Sequence, residues 1–234
     1  MKEILIKDII RECNARLIIG DENLKIENFS KDTREINEND CYIGIKGETF
    51  DGNLFYEEAF KKGASACILE KESVKDIDFR NYNNKTIIIV DNSIKFLQEL
   101  AAYKRSLYDI PVIAVTGSVG KTSTKEIISS VLSTKYNVLK TEGNYNNHIG
   151  LPLTILKLKE HNAMVLEMGM NHLNEINLLS KIAKPTIAVI TNIGTAHIGN
   201  LGSRENILKA KLEIIDGLKE NGTLIINNDN DMLH

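Results

Sequence analysis

The stretch Val112-Ile113-Ala114-Val115-Thr116-Gly117-Ser118-Val119-Gly120-Lys121-Thr122-Ser123 decides how this chain folds. Apolar and β-branched residues over 112–116 predict a buried strand. Gly117 and Gly120 predict a tight loop. From Lys121 the apolar spacing turns helical, and Ile127, Ile128, Val131 and Leu132 are expected on the buried face. Strand, glycine loop and helix in this order make a phosphate loop. The glycines let the backbone wrap an anion so that successive N–H groups point inward, and the helix N-terminus adds the positive end of its dipole. Thr116, Gly117, Ser118, Val119, Gly120, Lys121, Thr122 and Ser123 are the candidate nucleotide-phosphate-binding residues. Lys121 is placed to neutralise β- and γ-phosphate charge, and the Thr122 hydroxyl to bind Mg²⁺. The full pattern asks for glycine five positions before Gly120, where this chain has Val115. The loop is a shortened variant.

Outward from the loop, β-branched strands alternate with helices. Further strands are predicted at 137–141, 163–167, 186–191 and 223–226, with helices near 173–183 and 205–218. That rhythm predicts an α/β domain with a parallel sheet covered on both faces. Such sheets place ligands at the carboxyl ends of their strands. Glu167 closes one strand, Thr191-Asn192-Ile193-Gly194 closes the next with His197 just beyond, and Lys211 stands on the helix after that. Each has a bland reading: a solvated strand-end carboxylate, a structural histidine, a solvent-facing lysine. Their joint placement points to metal and phosphate chemistry. The chain stops at His234 shortly after a strand, where such a sheet would continue, so it is expected to be a piece of a longer protein.

The first ninety residues read as a separate small α/β unit. A short helix within 1–13, strands at 41–45, 66–69 and 86–90, and a helix over 57–62 stopped by Gly63 are expected. The polar stretch 76–85 reads as a surface loop. The expected domains are 1–90 and 91–234, the second opening with a helix capped by Asp91 or Asn92. Ile94, Leu97, Ala101 and Tyr108 share its apolar face.

Composition narrows the function classes. The 234 residues are 42% hydrophobic and 26% charged, ordinary for a globular protein. A net charge of −3 offers no long-range attraction to nucleic acid or acidic membranes. No nucleic-acid partner and no membrane insertion are expected, since no apolar stretch approaches the ~20 residues a spanning helix needs. Cys13, Cys41 and Cys67 are odd in number and lack metal-ligand spacing, so they read as reduced thiols in a cytoplasmic protein.

The stretches TGSVGKTSTKE, TEGNYNNHIGLPLTIL, LEMGMNHLNEI, TNIGTAHIGNLGS and ILKAKLEI together resemble the Mur ligase family of ATP-dependent peptide synthetases. DTREINENDCYIGIKGETFDG is similar to that family's uridine-nucleotide domain. The resemblance implies an N-terminal α/β uridine-nucleotide-binding domain followed by a truncated P-loop parallel-sheet ATPase domain, with a C-terminal domain absent. It implies that Lys121 meets the ATP phosphates, that Thr122 and Glu167 share a first Mg²⁺, and that His197 helps hold a second. Lys211 matches a lysine carbamylated by CO₂, which turns a cation that repels metal into an anion that attracts it. Lys121, Glu167, His197 and Lys211 are thus the implied catalytic set, with Asn144 and Asn147 near the phosphates. Thr33, Arg34, Lys46, Gly47, Asp51 and Asn53 match substrate-binding positions. Asn174 departs from the pattern, which has glycine there. The implied reaction joins D-alanyl-D-alanine to UDP-N-acetylmuramoyl-tripeptide through an acyl phosphate, with ATP and two Mg²⁺ ions. The piece in hand is expected to bind without ligating. The alternatives are a diamino-acid-adding member of the family, or a non-catalytic nucleotide-binding module.

Overall fold

The computed structural model describes residue 2 and residues 4–234; of the helix expected within 1–13, Met1 and Glu3 lie outside the described residues. Two compact units emerge, Met1–Lys104 and Arg105–His234.

The first unit runs β1 (Ile4–Leu5), α1 (Ile6–Glu12), β2 (Arg16–Ile19), β3 (Lys25–Ile26), β4 (Phe29–Ser30), β5 (Cys41–Ile43), α2 (Tyr56–Lys61), β6 (Ala66–Glu70), β7 (Thr86–Val90) and α3 (Ser93–Ser106). Its sheet has the order β2-β7-β6-β5-β4. Only β2 runs antiparallel, and the central strands are buried but for Glu70 at the end of β6, as parallel strands covered on both faces require. One face packs Tyr42, Cys67, Leu69 and Ile87 with Tyr56, Ala59 and Phe60 of α2 into an apolar core. Gly63, at φ +109, stops α2 where a left-handed residue is needed. Strands β2 to β4 were not foreseen, because two- to four-residue strands carry too little alternation to stand out. Helix α3 starts where Asn92 caps it, its Oδ1 accepting from the Lys95 N–H at 2.7 Å. The expected boundary at 90/91 gave this helix to the second unit, but most of it belongs to the first. Phe96 and Glu99 share a cavity wall with Cys13 and Asn14, which ties α3 to the end of α1.

The second unit runs β8 (Val112–Thr116), α4 (Lys121–Leu132), β9 (Val138–Lys140), α5 (Gly150–Leu156), β10 (Ala163–Glu167), α6 (Glu175–Ala183), β11 (Ile187–Ile190), α7 (Ile198–Leu201), α8 (Arg204–Leu212) and β12 (Thr223–Ile226). The sheet is wholly parallel in the order β12-β11-β8-β10-β9, with the phosphate-loop strand at its centre. In register, Val115 pairs with Glu167 and Thr116 with Ile190, so the ends of three strands meet at one edge.

Helix α4 bears out half of the buried face expected of it, with Ile128 and Leu132 inward and Ile127 and Val131 outward. Ile127 and Val131 are each 64% exposed. Ile128 and Leu132 pack on Ile113, Val115, Val165 and Val189, while Lys125 and Ser129 complete the buried face. The spacing allowed either face. Lys125 tipped the choice because its Nζ donates to the Thr141 carbonyl at 2.8 Å, which removes the cost of burying it. Helix α5 was hidden by Gly150 and Pro152, yet both stand in its first turn, where a proline's missing N–H costs nothing. Asn174, at φ +70, does the work of the glycine the family pattern has there.

Candidate functional site

The loop 117–120 is held in shape by the adjacent strand end rather than by its own turns. Gly117 sits at φ +153, and a Cβ on it would stand 1.8 Å from the Thr191 Oγ1. Only glycine fits there. Gly120, at φ +81, is the left-handed cap that starts α4. Two N–H groups of the loop do not point toward an anion, contrary to the expectation. Ser118 N donates to the Asn192 carbonyl at 3.0 Å, and Val119 N to the Asn192 Oδ1 at 3.1 Å. What faces outward is the start of α4, where the N–H groups of Lys121 and its neighbours have no intrahelical acceptor. Lys121 Nζ donates to the Gly117 carbonyl at 2.9 Å, and the side chain also lines the adjoining cleft.

Below the loop stands a chain of hydrogen-bonded polar side chains. Thr122 Oγ1 donates to Glu167 Oε2 at 2.9 Å, and Asn146 Nδ2 donates to Glu167 Oε1 at 2.8 Å. The Glu167 N–H is in turn bound by Thr141 Oγ1 at 3.0 Å. Glu167 is therefore buried with both carboxylate oxygens aimed by neighbours. A cleft of about 290 Å³ opens beside it, walled by Lys121, Asn144, Asn146, Asn147 and His197. Asn147 also caps α5, its Oδ1 accepting from Gly150 N at 2.8 Å.

Lys211 is 2% exposed and has no hydrogen bond or ion pair among the described residues. Burial, reinforced by the charge of Lys121, pushes its ammonium down to about 8. Burial also holds His197 below the usual imidazole range, with Lys211 and then Lys121 adding to the effect. The three groups thus lie within electrostatic reach of one another. Lys211 and Lys121 are like charges within reach of each other, and an anion placed between them would relieve their repulsion. His197 itself stands at φ +66 at the start of α7, a left-handed position that turns the chain toward the cleft.

The first-unit candidates fall into two groups. Thr33 donates to Glu58 Oε1 at 2.8 Å, Arg34 is a highly exposed side chain bridged to Asp32, and Lys46 and Asp51 form an isolated β-bridge. Arg34 is 83% exposed at its side chain, with Asp32 as its partner. Asn53 is different. It is fully buried, its Nδ2 donating to Asp51 and its Oδ1 accepting from the Glu70 N–H at 2.8 Å, so its side chain builds the turn and has no atom left for a ligand. Thr141, Asn146 and Asn192 were missed. Their signal was available: all three lie at or just past the carboxyl end of a strand, beside Glu167 or the loop.

Residues 115–234 match the Mur ligase middle domain, and residues 25–105 match the Mur ligase family catalytic domain. The chain belongs to the Mur ligase family. This Mur ligase chain is 48% identical over 214 residues to the UDP-N-acetylmuramoyl-tripeptide–D-alanyl-D-alanine ligase of Bacillus subtilis (strain 168), covering 91% of the chain and 46% of that relative. It superposes on the crystal structure of MurF from Acinetobacter baumannii with a TM-score of 0.88 at 33% identity, over 99% of this chain and 50% of that one. MurF ligase from Thermotoga maritima, solved in complex with ADP, gives 0.76 at 39% identity over 87% and 46% of the two chains. The Mur ligase chain described here spans about half the length of the curated relatives it matches.

Proposed function

We propose that this chain supplies the ATP-binding and carboxylate-activating part of an amide ligase that joins D-alanyl-D-alanine to UDP-N-acetylmuramoyl-tripeptide. The observation that carries the reading is the convergence of Lys121, Thr122 and Glu167 at the loop, with His197 and Lys211 within electrostatic reach. In the reaction, an oxygen of the tripeptide's terminal carboxylate attacks the γ-phosphorus of ATP and ADP leaves. The amine of D-alanyl-D-alanine then attacks the acyl carbon, phosphate leaves with the bonding pair, and the amine gives up a proton. Two anions must meet in the first step, so the protein's contribution is positioning and positive charge.

Lys121 and the N-terminus of α4 provide that charge at the β- and γ-phosphates. The Thr122 hydroxyl and the Glu167 carboxylate are hard oxygen donors 2.9 Å apart, a pair that suits Mg²⁺. His197, kept neutral, and Lys211, as its carbamate, suit a second ion. These residues would hold Mg²⁺, whose charge would neutralise phosphate oxygens. The first unit, up to Lys104, is assigned to the uridine nucleotide, with Thr33, Arg34, Lys46, Gly47 and Asp51 as the candidate contacts, and the second, from Arg105, to ATP. Asn144 and Asn147 border the reacting carboxylate.

Isothermal titration of ATP in the presence and absence of Mg²⁺ tests the site. Lys121→Ala removes a charge-assisted contact to phosphate and is expected to weaken ATP binding about thirtyfold or more. ATP binding that is equal in the variant and independent of Mg²⁺ would overturn the assignment.

A further inference from the structure

Asn192 makes more bonds to the phosphate loop than any residue of the loop makes to itself. Its carbonyl accepts from Ser118 N at 3.0 Å. Its side-chain amide pairs both ways with the Val119 peptide, Oδ1 accepting from Val119 N at 3.1 Å and Nδ2 donating to Val119 O at 3.1 Å. Two neighbours of Asn192 reinforce the grip. Thr191 Oγ1 donates to the same Val119 carbonyl at 2.6 Å, and Ser118 Oγ accepts from Gly194 N at 2.8 Å. The pairing imitates a β-ladder across a place where no strand continues. It also fixes the peptide that precedes Gly120, the residue whose left-handed turn starts α4.

We infer that Asn192 is a positioning residue for phosphate capture. By holding Ser118 and Val119 from the side, it directs the N–H groups from Gly120 onward at the β- and γ-phosphates. The inference rests on the nucleotide reading of the site. Without the Asn192 side chain, the Val119 carbonyl would keep only the Thr191 hydroxyl and the Val119 N–H would lose its acceptor, so the entry that aims the first turn of α4 would be held less firmly. Binding energy would then be lost only for ligands that carry the outer phosphates. Loss of general structural integrity would instead weaken all nucleotides together.

The test compares ATP and AMP affinities, by titration on the 234-residue chain with Mg²⁺. The wild type first checks the underlying reading: no preference for ATP over AMP means that the loop is not a phosphate site, and the inference falls with it. Given that preference, Asn192→Ala is expected to lower the ATP:AMP affinity ratio about tenfold, the effect of losing one to two hydrogen bonds. AMP affinity should stay within about twofold. Asn192→Asp keeps the size and the acceptor but sets a carboxylate oxygen against the Val119 carbonyl, and it should act in the same direction. A ratio unchanged in either folded variant overturns the inference while leaving the nucleotide site intact. Amide exchange in the wild type decides the matter even if both variants unfold. The Val119 N–H should stay protected when ATP is added while the resonances of Gly120, Lys121 and Thr122 shift. Loss of Val119 protection on ATP binding would show that phosphate displaces Asn192, and would overturn it.

Discussion

At the scale of single residues, the site turns on how Glu167 is held. Thr122, Asn146 and Thr141 fix both its carboxylate oxygens and its backbone N–H. Glu167→Gln keeps the shape and lets the neighbouring hydroxyl and amide reorient, so the melting temperature should fall by no more than a few degrees. The charge is gone, and the Mg²⁺-dependence of ATP binding should drop about tenfold or more. An undiminished Mg²⁺ effect would remove Glu167 from the metal site. Lys211 allows a pH test. Its amine titrates near 8 against an ordinary 10.5, so between those values the folded state binds fewer protons than the unfolded one, and this group's share of stability rises with pH. The same shift raises the neutral fraction whose nitrogen attacks CO₂, losing a proton to become the carbamate. With ¹³CO₂, a carbamate carbon resonance is expected to grow from pH 7 to 9 and to be missing in Lys211→Arg. A spectrum identical in that variant would dismiss the modification.

At the scale of elements, the inward face of α4 is the clearest departure from simple periodicity. Because Ile127 and Val131 are mostly exposed, replacing both by Ser should change stability by about 0.5 kcal/mol or less each. Ile128→Ala, on the face against the sheet, should cost about 2 kcal/mol. Urea unfolding measures both, and equal costs would mean that the helix is rotated from the position described. The loop before α4 is more demanding. Gly117→Ala puts a Cβ into the Thr191 hydroxyl at a positive φ, and is expected to cost about 2 kcal/mol or more and to abolish the ATP preference. At the far end of the sheet, β12 is paired on one side only and exposes Leu224, Ile225 and Ile226. Ile225→Lys should lower any concentration-dependent light scattering, since a charge on an edge opposes strand pairing.

At the scale of the whole molecule, all three thiols are in the first unit and buried: Cys13 is 1% exposed, Cys41 and Cys67 not at all. Burial pushes the Cys13 thiol up to about 12 and those of Cys41 and Cys67 well above their usual range. A thiol reagent at pH 8 should therefore label none of them quickly and all three in denaturant. Rapid labelling of the native chain would show that the first unit opens. On the proposed reading, nucleotide acts on the other unit. ATP with Mg²⁺ at a hundred times its dissociation constant should add about 2.7 kcal/mol to the stability of residues 105–234. The thermal shift should vanish in Lys121→Ala.

Local order was legible wherever one residue type answers one backbone demand. Gly117 and Gly120 marked the phosphate loop, apolar runs marked the five parallel strands of the second unit, and Gly63 and Asn92 marked helix ends. The sequence order of strand ends also placed Glu167 and His197 beside the loop, because a parallel sheet collects its carboxyl ends on one edge. Tertiary structure alone decided what those residues do to each other. Lys125 rather than Ile127 faces the sheet because a carbonyl from another strand is there to receive it. Asn53 turns inward and Arg34 outward because one meets buried partners and the other meets water. Asn192 grips Val119 from 73 positions further along the chain, and Lys211, held low by burial, is lowered further by a lysine far from it in sequence. Hydrogen bonding and charge act over a few ångströms of space, and only the folded sheet brings such distant positions that close.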